Sequence, residues 1–443
     1  MQSEQELNLW GQDYSLLTDL YQLTMATCYT GENLEAKPAS FELFTRRLPD
    51  GFGYLIAMGL AQALDYLERL NFSPSQLQAL QATGIFDHAP QRFWELLESG
   101  SFTGDVWALP EGTAVFPHEP ILRIEAPLWQ AQLVETYLLN TINYQTLIAT
   151  RAARIRDVAG EKAKLLEFGT RRAFSPQGAI WAARAAMAGG LDGTSNVLAA
   201  LKLGRKPVGT MAHALVMAIG ALSGGEDAAF QAFGRYFPDS PLLIDTYDAV
   251  AAARRLAQQV QAGTKKVTGV RLDSGDLVTL SEQVRSLLPE VAIFASGDLD
   301  EWEINRLRQA GACIDGYGLG TKLVTGAPVN GVYKLVEIDG IPTMKHSTNK
   351  ATYPGRKQIF RSQNQDRLGL ADEEPQAGEK TLLQLVMKQG KPLGATETLT
   401  TIQQRTLNSV KNLPMQTRQL DQPVPFPVRI SPPLQQLQDS LKS

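Results

Sequence analysis

Short apolar runs that stop at polar or glycine-containing turns recur through the middle of the chain. The clearest is Lys265-Lys266-Val267-Thr268-Gly269-Val270-Arg271-Leu272-Asp273-Ser274-Gly275-Asp276. Leu277, Leu280, Val284, Leu287 and Leu288 then recur at helical spacing, which predicts a strand, a tight turn and a helix. The same grammar repeats where residues 164–168 meet Gly169-Thr170-Arg171-Arg172 and residues 242–244 meet Asp245-Thr246-Tyr247-Asp248. It returns where 291–295 meet Ser296-Gly297-Asp298, and where Ala312-Cys313-Ile314-Asp315 meets Gly316-Tyr317-Gly318-Leu319-Gly320-Thr321. Residues 191–194 and 208–210 are shorter candidates. About seven βα periods imply a parallel sheet with polar residues gathered on one rim. An irregular, incomplete α/β barrel fits this pattern best, and an open doubly wound sheet is the alternative.

The flanks have a different texture. An apolar stripe through Leu16, Leu20 and Leu23 predicts a first helix over residues 13–30, with Asp19 and Tyr21 near its start. Residues 40–48 alternate like a strand that ends in Arg46-Arg47, and Ser73-Pro74 marks a helix start. Pro and Gly break 104–127 into short strands, and 128–156 reads as one long helical region. Past Thr321, hairpins are expected at Asp339-Gly340 and around Gln389-Gly390, with an irregular stretch over 412–434. Parallel repeats between antiparallel ends suggest a discontinuous α/β domain built from both termini. The expected division is 1–127, then 128–328 carrying the active site, then 329–443 packing with the first part.

Composition narrows the class. The chain has 443 residues, 44% hydrophobic and 20% charged, which suits a globular protein of more than one domain. A net charge of -4 argues against nucleic acid as a partner. Two cysteines cannot build a disulfide framework, no apolar run is long enough to span a membrane, and residues 1–9 lack a signal-peptide pattern. A cytoplasmic location is expected.

Candidate chemistry lies at the strand ends. Asp273 and Asp276 flank a turn where they could hold a divalent cation on a phosphate; the plainer alternative makes Asp276 a helix cap and Asp273 a solvated group. His213, in Val208-Gly209-Thr210-Met211-Ala212-His213, precedes an apolar helix. It could serve as a base, a phosphate ligand or a nucleophile accepting a phosphoryl group, or be structural only. The other histidines, His88, His118 and His346, have no His or Cys at zinc-ligand spacing. Phe168 beside Arg171 and Arg172 suits a planar anionic ring. Ser296-Gly297-Asp298 and 316–321 are expected to be turns whose backbone cradles phosphate. Walker and dinucleotide-binding loops are absent from the sequence, as is the acidic pair of ordinary phosphoribosyltransferases.

Taken together in order, these phrases resemble the nicotinate phosphoribosyltransferase family over nearly the whole chain. The matching stretches are 17–25, Phe168-Gly169-Thr170-Arg171-Arg172, Gly193-Thr194-Ser195-Asn196, 209–213, 245–248, 269–277, 296–298, 318–321 and 331–336. The resemblance implies a homodimer that joins nicotinate to phosphoribosyl pyrophosphate, giving nicotinate mononucleotide and pyrophosphate, with Mg2+ and with ATP as co-substrate. It implies that His213 is the phosphorylated histidine and that Phe168 stacks on the base opposite Tyr21 of the partner subunit. Arg171, Thr210 and Arg271 match positions at the nicotinate, Thr321 one at the phosphoribosyl phosphate, and Asp273 one facing the ribose or magnesium. Asp19, Ser274, Gly275, Gly297, Gly318 and Gly320 complete the expected substrate site. Ala214 departs from the family, which often has a polar residue after the histidine. The rival readings are a nicotinamide-specific enzyme, a quinolinate-using variant and a non-catalytic binding protein of the same fold.

Overall fold

The computed structural model describes residues 7, 9–345 and 352–442, so His346 lies outside the described residues. Two compact units result. One comprises residues 1–147, 328–398 and 411–443; the other comprises 148–327 and 399–410.

The second unit is a mixed α/β structure around a six-stranded parallel sheet. Its strands are β1 (Lys164–Glu167), β2 (Gly193–Thr194), β3 (Leu242–Leu243), β4 (Gly269–Leu272), β5 (Ala292–Ser296) and β6 (Gly316–Leu319). They lie in the order β2-β1-β6-β5-β4-β3, so the register aligns their C-terminal ends. Leu165, Val270, Leu272, Ile293, Ala295, Tyr317 and Leu319 are almost fully buried, as expected of a sheet packed on both faces. Each strand is short and its polar residue comes where the ladder ends, which puts Asp245, Asp273, Ser296 and Thr321 at one end of the sheet.

Two expectations are corrected in this unit. Residues 207–212 form no strand; only the Val208 N–H reaches the Thr194 carbonyl, at 2.9 Å. The last strand is Gly316–Leu319 rather than 312–315. Glycines normally signal a turn, but here the Phe294 ring packs where a Gly316 side chain would stand and the Phe168 ring where a Gly318 side chain would stand.

The first unit is built on a seven-stranded antiparallel sheet. Its order is Ile341–Pro342, Val332–Ile338, Pro38–Phe44, Pro120–Pro127, Asp105–Ala108, Gln384–Lys388 and Lys391–Pro392. Segments from opposite ends of the chain therefore pair directly, Pro38–Phe44 with Val332–Ile338. Both hairpins turn where two successive residues take positive φ: Asp339 and Gly340 at 50° and 75°, Gln389 and Gly390 at the same values. Ser73 accepts from Gln76 N–H and Gln76 returns the bond, closing a capping box with Pro74 first in the helix. The first helix runs over Leu20–Gly31, not from residue 13, and follows a 3-10 turn at Gly11–Asp13. Residues 412–434 include the helix Met415–Arg418 and the strand Val428–Ile430, so that stretch is more regular than expected.

Candidate active site

Strand ends β3, β4 and β5 build one connected polar cluster. Asp245 follows β3 with its side chain only 4% exposed. Its Oδ2 accepts from the Asp273 N–H at 2.7 Å and from Ser274 Oγ at 2.8 Å, tying the turn after β4 to the end of β3. Its Oδ1 is buried without a hydrogen-bond partner. That oxygen lies 3.9 Å from His213 Nε2, as does Oδ2 of Asp273. On the other side of the ring, His213 Nδ1 meets Thr246 Oγ1 at 3.1 Å. A histidine between two carboxylates and a hydroxyl, first in the helix His213–Ser223, is well placed to exchange an anionic group. The preceding residue, Ala212, offers no side-chain cap, so the first backbone donors of that helix are left for another partner.

Asp273 also accepts from Ser296 Oγ, which joins β4 to β5. Gly297 has φ +98° and a Cβ there would lie 2.3 Å from the Asp273 carbonyl oxygen. Only glycine allows that approach. Of the two carboxylates flanking the β4 turn, Asp276 is a helix cap: it accepts from the Val278 N–H and Thr279 Oγ1. These hydrogen bonds, the Thr279 one foremost, hold its carboxyl below the usual range. Ser274 is used on Asp245, and Gly275, at φ +84°, shapes the turn.

Arg271, inside β4, donates from Nη1 to Thr210 Oγ1 at 2.9 Å, while its Nε is buried with no hydrogen-bond partner. Burial lowers its pKa; Asp273 and Asp245 oppose that, and the neighbouring charge of Arg171 adds to it. Two guanidinium groups sharing one region favour an anion between them. Phe168 follows β1 and its ring packs against Gly318: a Cβ on Gly318 would sit 2.5 and 2.6 Å from two of its ring carbons. Gly320 approaches the Phe168 carbonyl, and Thr321 begins the short helix Thr321–Val324.

The structure thus gathers His213, Thr210, Arg271, Asp273, Ser274 and Gly297 in the second unit, with Phe168 on Gly318 beside them in the sheet. Tyr21 and Asp19 belong to the first unit, where Tyr21 Oη donates to Glu135 Oε2 at 3.2 Å and Asp19 Oδ2 accepts from Thr136 Oγ1 at 2.8 Å. Asp19 precedes the helix without capping it, because Thr136 holds its carboxylate.

Three residues at the site could not be singled out from the sequence. Asp245 and Thr246 stood in a recognised phrase, yet nothing in spacing alone says that β3 lies beside β4. Glu167 is the other hidden participant: fully buried, it accepts from the Gly169 N–H and Thr194 Oγ1. Burial raises its pKa against the lowering effect of those two bonds.

Among the described residues no group of three His, Cys, Asp or Glu side chains is arranged for a metal ion. No described helix is long and apolar enough to cross a membrane.

Comparison with known proteins adds to this geometry. Residues 16–143 match the nicotinate phosphoribosyltransferase (NAPRTase) N-terminal domain. Residues 163–293 match the nicotinate phosphoribosyltransferase (NAPRTase) family, and 374–438 the nicotinate phosphoribosyltransferase C-terminal domain. The chain is 43% identical over 384 residues to nicotinate phosphoribosyltransferase of Bacillus subtilis (strain 168), covering 81% of this chain and 77% of that protein. It is also similar to the crystal structure of human nicotinic acid phosphoribosyltransferase. That match has a TM-score of 0.83 and 30% identity, over 96% of this chain and 100% of the human one. Nicotinate-nucleotide pyrophosphorylase from Pyrococcus furiosus has a TM-score of 0.77 at 26% identity, over 93% and 99% of the two chains.

Proposed function

The chain belongs to the nicotinate phosphoribosyltransferase family, and we propose that the cluster at the ends of β1 and β3–β6 is where it makes nicotinate mononucleotide for NAD biosynthesis. The observation that carries the assignment is the part-buried guanidinium of Arg271, whose Nε has no hydrogen-bond partner and which feels the charge of the neighbouring Arg171. This pair suits a carboxylated ring better than an amide. In this reading Phe168 stacks on the ring, Arg271 and Arg171 bind its carboxylate, and Thr210 holds Arg271 in register. A nicotinamide-specific enzyme would make little use of Arg171 and Arg271 beyond stacking. A purely binding protein would have no use for the His213–Asp245–Asp273 cluster.

The reaction forms a bond between the pyridine nitrogen and C1 of the sugar. The C1–oxygen bond breaks, and its electron pair leaves with pyrophosphate. The carbon passes through an oxocarbenium-like state, so the site needs charge stabilisation and alignment more than a strong base. Asp273 is suited to face the ribose, and the backbone of Gly297, Gly318, Gly320 and Thr321 to surround the phosphates. The free Oδ1 of Asp245 and Oδ2 of Asp273 are hard oxygen donors that fit Mg2+. When bound, that ion would neutralise charge on the leaving pyrophosphate.

His213 is assigned as the group that takes a phosphoryl from ATP, releasing ADP, and later yields it to water as phosphate. Its support is the open imidazole between Thr246 and the two carboxylates. The parallel unit is read as an irregular barrel, since the Val208 N–H extends hydrogen bonding past β2, and the units correspond to a discontinuous α/β domain and the catalytic domain. A homodimer with Tyr21 completing the partner's base site, and a cytoplasmic location, complete the proposal.

The test follows nicotinate mononucleotide formation with and without ATP in the wild type and in His213→Ala. Wild-type synthesis raised by ATP, and a variant that still transfers but no longer responds to ATP, is the expected result. Undiminished ATP stimulation in the variant would refute the phosphohistidine assignment.

A further inference from the structure

Tyr21 stands in the first turn of the helix Leu20–Gly31 and is 47% exposed, so packing alone does not fix its ring. Its hydroxyl is nevertheless held. Glu135, only 8% exposed, begins the helix Glu135–Ala159, and its Oε2 accepts from Tyr21 Oη at 3.2 Å. The same oxygen accepts from Gln22 Nε2 at 2.8 Å and from Gln132 Nε2 at 3.2 Å. Gln132 Nε2 also donates to Gln22 Oε1 at 2.7 Å, and Lys334 Nζ lies 3.9 Å from Glu135 Oε1. Thr136, the next residue, donates to Asp19 Oδ2 and accepts from the Asp19 N–H. Two consecutive residues therefore grip both Asp19 and Tyr21.

A carboxylate this deeply buried is costly unless it is fully satisfied, and the two glutamines already satisfy each other in part. The carboxylate adds a charged acceptor aimed at the phenol. At 3.2 Å the bond is longer than a charge-assisted hydroxyl–carboxylate contact at its strongest, and its part is to direct the phenol toward Glu135.

We propose that Glu135 is a positioning residue for the transferase reaction, fixing Tyr21 through its hydroxyl so that the ring presents one set face to the base. The inference rests on the reading above in which Tyr21 stacks on nicotinate. Burial, with the adjacent Glu135 charge next, pushes the Tyr21 phenol up to about 12, so it remains a hydrogen donor throughout the working pH range.

Steady-state kinetics on the full-length protein test this, varying nicotinate and phosphoribosyl pyrophosphate separately in E135A, E135Q, Y21F, Y21A and Y21F/E135A. E135A removes the acceptor of the Tyr21 hydroxyl together with the bonds from Gln22 and Gln132, and should raise the nicotinate KM roughly tenfold while kcat and the phosphoribosyl pyrophosphate KM stay within about twofold. E135Q keeps an oxygen acceptor and should recover most of the loss. Y21F lacks the hydroxyl and should match E135A in nicotinate KM, and the double variant should be no worse than either, because the effect of both on nicotinate runs through the same Tyr21–Glu135 contact. Positioning is overturned if E135A leaves the nicotinate KM unchanged while Y21A raises it. It is equally overturned if E135A costs as much in the Y21F background as in the wild type, which is how a purely structural glutamate would behave. A Y21A variant with unchanged nicotinate KM would instead refute the stacking role on which the inference stands.

Discussion

Gly318 shows how the absence of a side chain makes room for a neighbouring ring. The Phe168 ring fills the space a Cβ would need, at separations that no packed carbon tolerates. Gly318→Ala should therefore lift the ring from the sheet, at a packing cost of about 1–3 kcal/mol if it were forced to stay. The expected outcome is a nicotinate KM raised by roughly tenfold or more with a smaller change for phosphoribosyl pyrophosphate, read by steady-state kinetics. Glu167 carries a pH prediction. Because burial raises its pKa above 4.5, folding favours the protonated carboxyl. That contribution is fully present below the unfolded value and is lost as pH rises through the folded one. Denaturation midpoints measured from pH 4 upward, at values on the order of one unit apart, should show the wild type losing stability relative to Glu167→Gln as the pH increases. A constant gap would contradict it. Neither feature was legible in the sequence. Gly316 and Gly318 read as a turn because glycine most often marks one, and only the Phe294 and Phe168 rings packed against them explain a strand. Asp276, by contrast, is open to a capping reading from the sequence alone, because the capping preference is local.

At the scale of elements, the site depends on short parallel strands ending side by side. Asp245, at the end of β3, clamps the first residues of the turn after β4 through two hydrogen bonds. Asp245→Ala should free Asp273 and Ser274 together and lower kcat by about 10²-fold, since small misplacements of reacting groups are expensive. Normal kcat in a folded Asp245→Ala protein would show that the clamp is dispensable. Five of the strands were visible as apolar runs or glycine-flanked phrases, because buried parallel strands need continuous hydrophobicity. The stretch 208–210 has the same apolar start, yet makes one backbone bond and no strand. The first helix starts at Leu20 rather than residue 13, since the stripe through Leu16 continues into a turn that periodicity cannot separate from helix. Lateral neighbours are the illegible part: β4 sits between β5 and β3, and no local spacing encodes that.

Across the whole molecule, interaction between distant segments sets stability. In the parallel-sheet unit Arg154 and Glu301, with side chains 0% and 2% exposed, meet at 2.8 Å, and the guanidinium lies 5.2 Å from the Trp302 ring centre. Arg154→Ala would strand a buried carboxylate and should cost about 3–5 kcal/mol, seen as a lowered denaturation midpoint and poor soluble yield. An unchanged midpoint would mean that the pair is not buried in solution. The antiparallel unit likewise joins Pro38–Phe44 to Val332–Ile338, an association suggested by the change in texture along the chain and fixed only by the strand register. The two arginines should decide which base is accepted. The most direct test is pyrophosphate release from phosphoribosyl pyrophosphate and Mg2+, supplied with nicotinate or with nicotinamide, in the wild type and in Arg271→Ala. Release is expected with nicotinate, little with nicotinamide, and the nicotinate reaction should be lost selectively in the variant. Equal rates with both bases, or an Arg271→Ala enzyme that still prefers nicotinate, would contradict that role.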